Sequence, residues 1–315
     1  MLSLEAEIME LQAAGLVTGP VAQRAVALER GSVFSVYEEL RVALYLAVAA
    51  ILAGLGLVLK DHLERIGPAT LVLALAVVAA LCYASALRTG QRRVKRSVGG
   101  EYLLLLGALT LSADLAYAEA QFHWFGAQWS WHLLVLAVVH GATAYYFESA
   151  LLLSVSVASL AGWLGVQGQT LSLVAWEQLL HQSGWRALSC ATLLLGWREA
   201  HRRLGGVRPF LSVLDHAACN LACWGALAWC VAGSTRVPGL AVLGVLALFA
   251  VRVGLRRGQE LFITYGIGYA TFGLCVVEAQ VIDGSLAIMI AELITVVVAA
   301  ALLWRCHGLI RAAAT

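Results

Sequence analysis

Charge is scarce in this 315-residue chain. Asp, Glu, Lys and Arg make up 13% of it, about half the ~25% of a soluble domain. That excludes an ordinary water-soluble domain as the main architecture. Proline is rare too, with 4 residues against 30 glycines, a balance that transmembrane helices tolerate. The seven cysteines (Cys82, Cys190, Cys219, Cys223, Cys230, Cys275 and Cys306) form no C-x-x-C pair. They lie mostly in apolar stretches and read as small buried hydrophobes, with no metal site expected. No G-x-S-x-G, H-E-x-x-H, P-loop or dinucleotide fingerprint is present, so those enzyme classes have no foothold. The first 40 residues carry acids and arginines rather than a basic start and an apolar core. No cleaved secretory signal is expected, and the first apolar stretch reads as an uncleaved anchor.

What is present is apolar length. Hydrophobic residues make up 61% of the chain, and a helix needs ~20 of them to cross the hydrocarbon core. Ten spans are expected: Arg41–Leu59, Ala69–Leu87, Tyr102–Ala120, Trp131–Phe147, Leu151–Val166, Gly184–Trp197, Phe210–Ala232, Gly239–Leu255, Leu261–Val281 and Ser285–Trp304. The fourth, fifth and sixth are short, and Arg186 interrupts the start of the sixth. The expected fold class is therefore all-α, a polytopic transmembrane helical bundle. Charge orients it. With the N-terminus inside, the inner loops collect Arg88, Arg92, Arg93, Lys95 and Arg96, then Arg198, Arg202, Arg203 and Arg208, then Arg252, Arg256, Arg257, Arg305 and Arg311. Arg24, Arg30 and Arg41 precede or open the first span, and only Lys60, Arg65, Arg186 and Arg236 fall outside. The positive-inside rule predicts such a bias. Both termini are then cytoplasmic, and the expected location is a bacterial inner membrane.

Residues 1–40 read as a cytosolic helical hairpin. One helix runs from about Leu4 to Ala14 and stops at Gly15, and Thr18-Gly19-Pro20 opens a second that runs to about Arg30. Two nearly uncharged outer segments are rich in aromatic residues. Gln121–Trp131 carries Trp124, Trp129 and Trp131, and Gln167–Trp185 places Leu173, Trp176 and Leu180 on one helical face. Tryptophan favours the interface, so both read as membrane-hugging segments, the second as an interfacial helix.

Glu101–Gln121 and Glu260–Gln280 align without a gap at an offset of 159. Glu101 meets Glu260, Gly107 meets Gly266, and Glu119-Ala120-Gln121 meets Glu278-Ala279-Gln280. Both stretches follow a basic loop, so a parallel internal repeat is expected. The chain then divides into the hairpin 1–40, a first membrane repeat unit 41–147, connecting helices 148–208 and a second unit 209–315. Glu119 and Glu278 become a matched outer-face pair. They set helix ends, or they line a vestibule.

These residues also carry a family resemblance. The hairpin leads to a helix of the form EYLLLLGALTLSADLAYAEAQFH, then to a tryptophan-rich turn and a YYFES segment. The pattern resembles the bacterial membrane-protein family known as domain of unknown function 2157, best over about Leu4–Val166. Its most specific piece is Ala120-Gln121-Phe122-His123. The resemblance implies a polytopic bacterial inner-membrane protein and carries no activity with it.

Polar groups at membrane depth are costly and are the natural functional suspects. Asp114 lies ~18 Å along its helix from Tyr102, near the midplane, and Gln121 shares its face seven residues on. His140 is central in the fourth span, Asp215 and His216 lie in the inner half of the seventh, and Glu292 is ~10 Å into the tenth. Asp215 and His216 read as a helix-start polar cluster or as a proton-relay element. His123, His132 and Glu119 lack the tight spacing of a metal site. The expected function is non-catalytic: a structural or accessory subunit that binds membrane lipids, a membrane-protein partner or a second copy. It needs no cofactor and no nucleic acid. The alternative is a carrier of a small solute, lipid or proton that uses Asp114 and Glu292.

Overall fold

A computed structural model describes residues 4–29, 67–88, 98–128, 130–165, 176–205, 208–232 and 235–314, together with residues 47, 50 and 54. The expected first span Arg41–Leu59 apart from residues 47, 50 and 54, the loop Arg88–Arg96 beyond its first residue, and residues 167–175 of the segment Gln167–Trp185 lie outside the described residues.

The chain forms two compact units, Met1–His62 with Arg311–Thr315, and Leu63–Ile310. In the first unit, α1 (Leu4–Ala13) and α2 (Gly19–Glu29) form a hairpin. Gly15 turns the chain with a positive φ of 72°, and the Leu16 N–H donates to the Leu11 carbonyl at 3.0 Å, a glycine-based helix stop.

The second unit contains α3 (Pro68–Arg88), α4 (Val98–Phe122), α5 (Trp131–Phe147), α6 (Ala150–Gly165), α7 (Trp176–Arg203), α8 (Arg208–Val231), α9 (Arg236–Arg257), α10 (Glu260–Val281) and, as far as Ile310, α11 (Ser285–Ala314). All eleven described α-helices therefore belong to an all-α protein. Six are long and apolar enough to cross a membrane: α3, α4, α8, α9, α10 and α11. α5 and α6 are apolar but shorter, with 17 and 16 residues. The four prolines lie in the first turns of α2, α3, α8 and α9, where a missing N–H costs nothing.

α7 differs from expectation. The sixth span Gly184–Trp197 and the interfacial helix before it are one unbroken helix of 28 residues from Trp176. Gly184 does not stop it, because the glycine serves packing instead. A methyl there would lie 2.9 Å from the Gly225 carbonyl oxygen of α8, so the two backbones are in contact.

One core layer fixes how the helices alternate. Ala86 of α3, Leu104 of α4, Phe147 of α5, Leu152 of α6, Leu194 of α7, and Phe210 and Leu214 of α8 form a single buried cluster. Each odd-numbered helix from α3 to α7 ends in this layer, and each even-numbered one begins in it. Arg257, the last residue of α9, pairs with Asp215 near the start of α8. His307 of α11 pairs with Glu260 at the start of α10. The described arginines of the α3, α7, α9 and α11 C-termini thus collect at one end of the unit. The opposite end is aromatic, with Trp131 edge-on to Trp163 at 6.1 Å and Trp185 against Trp229 at 4.7 Å.

Candidate functional site

The residues singled out by sequence fall into four places. In the middle of α4, Asp114 is buried, and its Oδ1 has no hydrogen-bond partner. It shares a helix face with Gly107, seven residues earlier, whose added methyl would touch Cys82 of α3 at 2.9 Å. Asp114 therefore faces the apolar side of α3. Gln121 is on the same face but exposed at the helix end, and the two are not brought together.

The second place lies across α4, α5 and α6. His140 is fully buried, with Nε2 2.9 Å from Ser112 Oγ. Ser112 already donates to the Ala108 carbonyl at 2.9 Å, so the imidazole donates from Nε2 and leaves Nδ1 bare, as its missing partner requires. Ser156 of α6 donates to the Ala137 carbonyl of α5 at 2.6 Å. These contacts join helices, and Ser112 was not visible as a partner because helical spacing within one span says nothing about the next.

The third place is the aromatic end. Glu119 is buried, and the Phe125 N–H donates to both its oxygens at 3.2 and 3.3 Å. His123 takes a positive φ of 51°. The Ala120-Gln121-Phe122-His123 motif is thus the last turn of α4 and the corner residue after it, clamped by the carboxylate just before it. Glu278, its expected counterpart, behaves differently. It accepts from Thr295 Oγ1 of α11 at 2.6 Å, and its Oε2 is buried without a partner. Glu292 is half-buried one turn from Thr295, and Cys275 lies within electrostatic reach of both acids. The structure therefore joins Glu278 of α10 to Thr295 of α11, a pairing with no signal in the sequence.

The fourth place is the arginine end. Asp215 Oδ1 is 2.8 Å from Arg198 Nε of α7, and Oδ2 is 3.1 Å from Arg257 Nη1 of α9. Glu199 holds Arg202 at 2.6 Å and Arg203 at 2.9 Å. The Arg202 and Arg203 guanidiniums keep its carboxyl well below the usual range, at about 2. His216 turns away from Asp215, stacks on Phe262 at 4.5 Å and meets Tyr265 edge-on at 5.8 Å. Asn220 accepts from Tyr269 OH at 3.0 Å. The adjacent pair is thus split between two interfaces. Arg198 and Arg257 were read from sequence as topological signals, and their convergence on Asp215 could not be seen there.

Among the described residues, three crevices lie near these groups. One of ≈ 220 Å³ runs between α7, α8 and α9 below Asp215. One of ≈ 410 Å³ separates α11 from α9 and α10. One of ≈ 300 Å³ lies between α8 and α10. None of the three is lined by Asp114 or Glu292. Among the described residues, no group of three His, Cys, Asp or Glu side chains is placed to hold a metal ion.

Long apolar helices with most of their described arginines gathered at one end define a multi-span membrane protein. Over residues 9–153 the chain matches the model of the family described as predicted membrane protein (DUF2157). The match runs from α1 into α6 and contains both the corner at His123 and the YYFES segment. No curated protein and no solved structure matches the chain.

Proposed function

We propose that the protein is a non-catalytic accessory component of a bacterial inner membrane, with both termini cytoplasmic, that works by holding lipid or a membrane partner. The observation that carries this reading is how the polar groups are used. Glu119 clamps a turn, His140 joins α4 to α5, Asn220 joins α8 to α10, and Asp215 joins three helix ends. No residue of α11 is buried between Ser285 and Ile310, which is in keeping with a helix that meets lipid or a partner.

Ten crossings go with this proposal: the undescribed span Arg41–Leu59 and the nine helices α3 to α11. The alternation of helix ends at the arginine layer supports it. The parallel repeat also stays in the proposal, supported by Gly107 and Gly266. An added methyl on Gly107 would meet Cys82 of α3 at 2.9 Å, and one on Gly266 would meet the Ala247 carbonyl oxygen of α9 at 2.7 Å. Each glycine brings its helix onto the one before it.

The test is purification in a mild detergent, followed by flux measurements in proteoliposomes. A stoichiometric partner or retained lipid, with no flux above empty vesicles, is the expected result. Solute or proton flux that disappears in Asp114→Asn would overturn the accessory reading in favour of the carrier.

A further inference from the structure

The crevice between α7, α8 and α9 combines apolar walls with a charged mouth. Its walls are apolar: Leu195, Ala222, Leu246, Phe249 and Val253 line it. Its mouth is charged, because Arg198, Asp215 and Arg257 line it as well. Asp215 neutralises one guanidinium's worth of charge. Across the connected network four arginines (Arg198, Arg202, Arg203 and Arg257) face two carboxylates, Asp215 and Glu199. The mouth is net positive. Each guanidinium has five donors in a planar fork, and Asp215 contacts Arg257 through one nitrogen, Nη1. Donors remain for a second anion. Arg257 is nearly half exposed, with a side-chain exposure of 47%.

From this juxtaposition we infer that the crevice is a binding site for an anionic glycerophospholipid, with the phosphate on Arg257 beside the Arg198–Asp215 pair and an acyl-chain segment against Phe249 and Leu246. The inference rests on the membrane reading above and deepens its lipid side. Depth supports it. Arg257 is the last residue of α9, and Asp215 lies seven residues into α8, ~10 Å along the axis, so the charges stand at headgroup level and the walls below them in the hydrocarbon. Size supports it too. At ≈ 220 Å³ the crevice is below the ~300 Å³ that encloses a drug-sized ligand. It takes part of a molecule whose remainder stays in the bilayer. Free phosphate would leave the apolar walls empty. Basic pockets between transmembrane helices are a general mode of recognising anionic headgroups.

The experiment is native mass spectrometry of the full-length protein in detergent with added phosphatidylglycerol or phosphatidylcholine. The expected result is preferential retention of phosphatidylglycerol. Arg257→Gln should lower that retention roughly fivefold, one arginine's share of attraction to an anionic lipid. Phe249→Ala keeps both guanidiniums and alters an exposed wall residue. It should also lower retention, which gives a second reading if Arg257→Gln fails to fold. Sodium phosphate should not displace the lipid. Equal retention of the two lipids would overturn the site. So would Phe249→Ala binding like the parent, or full displacement by phosphate, which would mark a plain anion site. The outcomes separate from those of the accessory proposal. Asp114-dependent flux would remove that proposal and leave this site standing, whereas a copurifying partner with no lipid preference would do the reverse.

Discussion

The hydroxyl of Tyr145 ties α5 to α7. It accepts from Trp197 Nε1 at 2.8 Å and lies 3.1 Å from His201 Nδ1, while its ring meets Phe210 of α8 edge-on at 5.2 Å. Tyr145→Phe keeps the ring and deletes both polar contacts. Each is worth about 0.5–1.5 kcal/mol, so a loss of ~1–3 kcal/mol is expected, read as a lower Tm in detergent. Glu199 offers a test by pH. Its folded carboxyl is held down to about 2 from an ordinary 4.5, first by the Arg202 hydrogen bond and then by that of Arg203. A depressed pKa gives stability that is present above pH 4.5 and is lost as pH falls toward 2. The stability difference between the parent and Glu199→Gln should therefore shrink on acidification through that window. It will be small, because the pairs are exposed. A constant difference across the window would contradict the assignment.

Helices were more legible than their partners. The expected starts of α5 and α11, at Trp131 and Ser285, are those observed, because apolar length and the charges that bound it are local properties. The hairpin α1–α2 was legible for the same reason: Gly15 and Thr18-Gly19-Pro20 act within a few residues. The long α7 was not. Arg186 and Gly184 look like interruptions in one dimension, whereas the fold uses Gly184 for contact with α8. A methyl on Gly225 would lie 2.8 Å from the Gly184 carbonyl oxygen, while one on Gly244 of α9 would meet nothing within 4 Å. Gly225→Ala should accordingly destabilise the protein by ~1–3 kcal/mol, as backbone cannot yield as a side chain does. Gly244→Ala should be neutral or slightly stabilising, since alanine is the better helix former. Thermal unfolding of the two variants in one detergent checks both. The candidate site was legible as residue types and not as neighbours. Asp215 was visible as an ionisable group at depth, but its guanidinium partners are 17 and 42 positions away, and nothing in spacing links them.

At the scale of the whole molecule, the decisive property is that the arginine-bearing helix ends share one level. The buried layer from Ala86 to Phe210 and the pairs Asp215–Arg257 and Glu260–His307 set that level within the second unit. If lipid is the solvent around it, one level means one compartment, and the positive-inside rule makes that compartment the cytoplasm. Single cysteines test this directly. Arg203 and Arg305 are exposed at the arginine end, and Asp283 is exposed in the turn between α10 and α11 at the other. In a background with the seven native cysteines replaced, Arg203→Cys and Arg305→Cys should react with a membrane-impermeant maleimide only after the inner membrane is opened. Asp283→Cys should react while that membrane is intact. Arg203 and Arg305 are far apart in sequence, with three helices complete between them. An even number of crossings must separate Arg203 from Arg305, and α8 to α11 supply four. Labelling of these two positions from opposite sides would mean that one of those helices fails to cross, and the topology, the positive-inside assignment and the headgroup depth of Arg257 would fail with it.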